Sequence, residues 1–217
     1  MTGFPNSPKL TKGGIVLVDA ATGQVQRVIT LQYNPDSLTR SLQAKTLGEG
    51  QHAQPLRLTG PATETIKLEA EIDATDRLEF PDRNPQTVLH GIQPELAVLE
   101  SLVHPQSSRL IANNELANSG TLEIAPMESP LPLFVWGTNR IVPVKVTELS
   151  ITEEAFDTAL NPIRAKVSLG FQVLSVDDLG FDHKGGSVFL NYLQAKEELA
   201  RQARAGALET LGIGGIQ

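Results

Sequence analysis

The sequence predicts an α+β fold, mainly β: a barrel- or sandwich-like β domain carrying a long bent hairpin, a short helical insertion and a C-terminal helix. Three observations support this. Apolar and polar residues alternate with the period of two over residues 25–33, 66–73 and much of 142–173. The period changes to that of a helix only near residues 85–104 and again beyond 187. With 217 residues, 40% of them hydrophobic, there is material for one large β-rich domain and an appendage.

In chain order, residues 1–12 have no periodicity and are expected to be a flexible N-terminus. GIVLVDAATGQVQRVITLQYNP reads as a hairpin, with one strand over 15–18, a turn through 19–23 and a second strand over 25–33 that Asn34 and Pro35 stop. A further strand is expected over 38–44 and a glycine-containing loop over 46–54. Leu56, Leu58, Ile66, Leu68, Ala70 and Ile72, set against Lys67, Glu69, Glu71 and Asp73, form a strand region with an acidic outer face. From Pro85 the spacing of Val88, Leu89, Ile92, Leu96, Leu99 and Val103 predicts two short helices broken at Gln93, with Pro94 in the first turn of the second. Residues 107–120 read as a loop and 121–124 as a short strand.

Residues 131–174 form the long hairpin. On its return limb Ile163, Ala165, Val167, Leu169, Phe171 and Val173 hold one parity. On the outgoing limb Val142, Val144 and Val146 hold one parity and Leu149 and Ile151 the other, which requires a bulge near Thr147 and Glu148. The connection ITEEAFDTALNP is expected to be a loop too long for a tight turn, an arm whose single aromatic residue is Phe156. Residues 177–186 read as a linker. Ser187 is the expected N-cap of a helix with an apolar stripe that includes Phe189, Tyr192 and Leu193, and the glycine-rich tail is expected to fray.

Little in the chain points to catalysis. There is no cysteine, which excludes thiolate chemistry, disulfides and cysteine-ligated metals. The four histidines, His52, His90, His104 and His183, show no ligand spacing, so no metal is expected. The carboxylate pairs are adjacent in sequence and point apart, as on solvated faces. Neither Gly-Gly site lies in a phosphate-binding frame, and no serine sits in a nucleophile elbow, so neither a cofactor nor an enzymatic activity is expected. A net charge of −7 argues against nucleic acid as a partner. With no apolar run of about 18 residues and no signal-like N-terminus, the expectation is cytoplasmic synthesis and no membrane insertion.

Two strings carry a family likeness. LQYNPDSLTRS resembles the opening of the tube and baseplate-adaptor proteins of contractile injection systems, the phage-tail-like particles of bacteria. FVWG, followed by PVKVTELSITEEAFDTALNPIRAKVSLGF, resembles the closing ribbon of the same family. The resemblance spans residues 13–176 and implies a β-rich domain of that kind; residues 177–217 stand where larger adaptors carry a LysM module, and here supply only a linker and one amphipathic docking helix. It implies a non-enzymatic subunit, six copies in a ring, that links the inner tube or spike hub to the surrounding wedge and sheath. The subunit would be assembled in the cytoplasm and end within a particle, extracellular if that particle is released. By position the family pattern falls on Tyr33, Asn34 and Pro35, on Phe134 and Trp136, on Phe156, and on Asn161, Pro162 and Arg164. With Phe189, Tyr192 and Leu193 these are the expected interface residues. Two other readings stand beside it: a monomeric barrel that binds a ligand or glycan, and an inner-tube or tube-initiator protein of the same particle.

Overall fold

The computed structural model describes residues 10–46, 57–119, 129–203, 206 and 208–213. The expected N-terminal flexibility before Leu10, most of the 46–54 loop, Leu56, the 121–124 strand and the last residues of the tail lie outside these. Seven strands form one antiparallel sheet: β1 (Gly14–Val18), β2 (Val25–Thr30), β3 (Leu38–Gln43), β4 (Thr63–Asp73), β5 (Leu131–Val135), β6 (Ile141–Phe156) and β7 (Pro162–Val173). Their order is β2-β1-β5-β6-β7-β4-β3. The fold is mainly β with helices added, as the alternation predicts, and the sheet is not closed: β2 and β3 are left as edges.

Alternation explains the core. Ile66, Leu68, Ala70 and Ile72 of β4 share one parity and are buried, and Ala165, Val167, Leu169, Phe171 and Val173 of β7 do the same beside them. The bulge falls where the sequence required it. Val146 pairs with Phe171 and Glu148 with Gly170, so Thr147 is the extra residue. Before it Val142 and Val144 point inward; after it Leu149 and Ile151 take over. Gly170 fits the site, since a Cβ there would stand 2.9 Å from the Glu148 Cβ.

The helical insertion follows β4. Helix α1 (Thr75–Leu78) and a 3-10 turn (Pro81–Arg83) precede α2 (Pro85–His90) and α3 (Gln93–Glu100), which break at Gly91 and Ile92. Ile92, Leu96 and Leu99 join the core. Residues 107–120, read from sequence as a loop, contain instead α4 (Ser107–Asn118). None of its residues is buried, and a helix without an apolar stripe leaves no period to detect.

Two other expectations give way. Strand β2 ends at Thr30, not Tyr33, because the Gln32 side chain turns to the main chain of Asp73. The C-terminal helix α6 (Lys184–Gln202) starts before Ser187: His183 is the N-cap, its Nδ1 accepting from the Gly185 N–H at 3.0 Å. Gly185 and Gly186 are buried in the first turn, where a Cβ on Gly186 would stand 2.1 Å from the Gly180 carbonyl oxygen. Within the expected linker lies α5 (Val176–Leu179), closed by a capping box between Ser175 and Asp178.

Candidate functional site

The expected loop between the ribbon limbs is in fact strand almost to its end. Pairing of β6 with β7 continues to Phe156 opposite Pro162, leaving only residues 157–161 to turn. Asp157 makes this possible. Its carboxylate accepts the Ala159 and Asn161 N–H groups, each at 2.8 Å, and the Asn161 side-chain amide at 2.8 Å. The Asn161 amide and main-chain N–H hold the Asp157 carboxyl below the usual carboxylate range. The Asp157 N–H in turn donates to the Asn161 carbonyl at 2.9 Å.

Two residues, Ala155 just before this turn and Leu160 within it, have left-handed backbones without being glycine, at φ 52° and φ 63°. Leu160 is also 78% exposed, and Phe156 is 49% exposed. The tip is held to its own domain. Asn161 donates its amide to the Leu89 carbonyl at 3.2 Å, and the Ile92 N–H donates to the Pro162 carbonyl at 2.9 Å. Gly91 allows this approach, for at its φ of 58° a Cβ would stand 2.2 Å from the Pro162 oxygen. Arg164 pairs with Asp73 at 2.8 Å on β4. Burial pushes the Asp73 carboxyl up, but hydrogen bonds from Thr75 and Arg164 outweigh it and leave the group below the usual range. Leu89, on α2, is 62% exposed beside the turn. The result is a braced end of the molecule whose solvent face carries Phe156, Leu160 and Leu89.

The other expected residues lie elsewhere. Asn34 acts as a clasp: its Oδ1 accepts from the Gly13 N–H and its amide donates to the Thr11 carbonyl, each at 2.9 Å. Tyr33 is exposed next to it and Pro35 is half-buried. Phe134 is buried, stacked on Trp136 at 5.9 Å and tilted against Phe171 at 5.4 Å. Trp136 is half-buried, with Gly13 packed on its ring. Phe189 and Tyr192 of α6 are buried in the domain's own core, Leu193 is exposed, and Pro162 is fully buried. Thus Phe156, Asn161, Pro162 and Arg164 come together at one end, while the α6 residues cap the sheet at another place.

What fixes α6 is a cluster the sequence reading missed. Glu64 is buried; Arg40 reaches it at 2.7 Å, the Tyr192 hydroxyl donates to it at 3.0 Å, and Lys196 donates at 3.1 Å while lying 4.0 Å above the Tyr192 ring. Burial raises the Glu64 pKa, and Arg40 and Lys196 more than reverse that, so its value falls below normal. Burial and the neighbouring Glu64 push the Tyr192 hydroxyl up to about 12. Lys196 moves down because burial outweighs Glu64, although it keeps 31% of its side chain exposed. A glutamate on the parity of Ile66 and Leu68 was the available signal. Leu160 and Leu89 gave none, since exposure has no period.

Among the described residues no three His, Asp or Glu side chains come together in a way that could hold a metal. No described helix is long and apolar enough to cross a membrane.

No family profile matches the chain, and no curated protein is similar to it. Solved structures with some similarity include a chain in the tail of an empty gene transfer agent particle determined with C6 symmetry. It is 12% identical, with 75% of this chain and 90% of that one covered, at a TM-score of 0.27. A chain in the virion of a native gene transfer agent particle has 12% identity, covers 77% of this chain and 95% of that one, and gives the same TM-score of 0.27.

Proposed function

We propose that this chain is a non-enzymatic structural subunit of a contractile, phage-tail-like particle. In this reading it sits in the baseplate and joins the inner tube or spike hub to the wedge and sheath. The observation that carries the reading is Leu160. A left-handed backbone position favours glycine or asparagine, and a leucine there costs about 1–2 kcal/mol. At 78% exposure the side chain gains at most about 0.8 kcal/mol of burial in its own domain. Folding alone would not select this residue, whereas a contact with another subunit would. Phe156 and Leu89 extend the same face, and the bonds that brace the tip pre-order it for docking.

The resemblance of the two motif strings supplies the rest: six copies in a ring, residues 13–176 as the particle-building domain, and a final location within the particle. In this reading α6 closes the domain, because Phe189 and Tyr192 are already engaged, and the ribbon tip is the contact. The test is to replace Phe156 and Leu160 together by serine and asparagine in cells that make the particle. The variant should fold and be absent from purified particles by mass spectrometry. Normal incorporation at a fixed ratio to the spike would refute the role of the tip, and absence of the native chain from purified particles would refute the reading as a whole.

A further inference from the structure

The open seam of the sheet holds a groove of about 610 Å3. One wall is β2 and the other is the part of β4 beyond Leu68, where β3 stops pairing. Helix α3 forms the floor with Val98 and Leu99.

Hydrogen bonding fixes which way the main chains face. The Leu31 N–H donates to the Gly13 carbonyl at 3.0 Å, so the odd residues of β2 face β1. Val28 and Thr30 therefore turn their N–H and C=O groups into the groove. On the opposite wall the Ala74 N–H donates to Ile163 of β7 at 2.9 Å, so Asp73 and Glu71 face the groove. Asp73 is met there by an amide side chain: Gln32 donates to its carbonyl at 2.7 Å and accepts from its N–H at 3.0 Å. A whole side chain plus a hydrogen bond separates the two walls at that rung, more than the single strand spacing of about 4.8 Å. Among the described residues Val28, Thr30 and Glu71 have no such partner.

Two further features describe what would fit. Val28 is 59% exposed on an edge strand whose only charged residue is Arg27, so the edge lacks the usual guards against strand addition. In the groove wall one carboxylate oxygen of Glu95, Oε2, is buried with no hydrogen-bond partner among the described residues, while Oε1 takes Arg77.

We propose that this groove binds an extended strand of another protein, laid along β2, with alternate apolar side chains on the α3 floor and a lysine or arginine reaching Glu95. Unpaired main-chain groups on both walls are met by a peptide backbone and not by a compact ligand. A second copy of this chain is a poorer match, because the cations at its other sheet edge are engaged, Arg40 with Glu64 and Lys45 with Asp177. The inference rests on the groove alone and stands or falls apart from the role of the ribbon tip.

A random heptapeptide display library panned on the full chain supplies the probe, and enriched peptides are synthesised for fluorescence anisotropy. Enriched sequences should alternate apolar residues and carry a lysine or arginine. Thr30→Pro, which removes a groove-facing N–H but no bond to β1, should weaken them by about tenfold or more. Glu95→Gln should weaken the cationic peptides selectively. If circular dichroism shows Thr30→Pro unfolded, Val28→Lys replaces it, with the same loss expected. No enriched peptide binding more tightly than about 1 mM, or binding untouched by these variants, overturns the proposal. So does concentration-dependent self-association in sedimentation velocity that Val28→Lys abolishes, since that gives the groove to a second copy.

Discussion

Replacing Leu160 by asparagine should stabilise the isolated protein, although it removes a leucine. At φ 63° the leucine backbone carries a left-handed penalty of about 1–2 kcal/mol, most of which asparagine relieves. Against this stands the little burial that the side chain has. With 78% of the residue exposed, roughly 30 Å2 of apolar surface is withdrawn from water, worth at most about 0.8 kcal/mol. The Leu160 N–H still donates to the Asp157 carbonyl, because that bond uses only main chain. The net expectation is a gain of about 0.5–1 kcal/mol, or a Tm rise of about 1–4 °C for a chain of this size. Urea unfolding followed by the fluorescence of Trp136, the single tryptophan, measures it, with the midpoint rising at unchanged slope. A loss of more than about 1 kcal/mol would mean that Leu160 packs on its own subunit, and the argument for an external contact would fail.

Gly91→Ala should cost about 3 kcal/mol or more, since the added Cβ meets the Pro162 oxygen at 2.2 Å and breaks its bond from Ile92; hydrogen exchange at Ile92 and in the 157–161 turn should rise with it. Gly13→Ala drives a Cβ to 2.4 Å from the Trp136 ring, and should cost about 1–3 kcal/mol with a shifted tryptophan emission. Glu64→Gln should cost about 2–3 kcal/mol at pH 7 by leaving Arg40 and Lys196 without their shared anion. The sign of its pH dependence follows from a folded pKa below the ordinary value of 4.5. The stabilisation from Glu64 is complete above that value and is lost as pH falls through the folded pKa, so the variant's acid limb should be shallower than the parent's. Parallel acid limbs in urea titrations would show that Glu64 does not set this loss.

Alternation made the central strands legible because both their faces have fixed surroundings. The parity switch between Val146 and Leu149 even located the bulge, confirmed by the slip from Phe171 to Gly170. The turn was not legible, for ITEEAFDTALNP is polar whether it is a loop or a ribbon. What distinguishes the two is the set of bonds that Asp157 makes, and Asp-x-x-x-Asn has no period. Helix α4 was hidden for the same reason, as no residue in it is buried. Phe134 and Phe189, expected at an interface, are buried in the core; an aromatic at strand or helix spacing reads the same from sequence whether its neighbour is its own domain or another's.

Rigidity distinguishes the ribbon tip from an arm that folds on binding. A free connection of a dozen residues would lose about 1–2 kcal/mol per residue in backbone entropy on docking. Here that cost has been met during folding: strand pairing to Phe156, the Asp157 clasp, the Gly91 contact and the Arg164 pair leave only side chains to order. Phe156, Leu160 and Leu89 can therefore contribute most of the apolar surface they still expose, about 1–2 kcal/mol each if wholly covered. Three such side chains are a small patch for a pair of proteins; under the proposed six-copy assembly they suffice, since each further contact forms at high effective concentration. Loosening the tip should then weaken assembly even with every exposed side chain retained. Asp157→Ala keeps Phe156, Leu160 and Leu89 and removes only the clasp; full incorporation of that variant into particles would show that pre-ordering is not what the tip contributes.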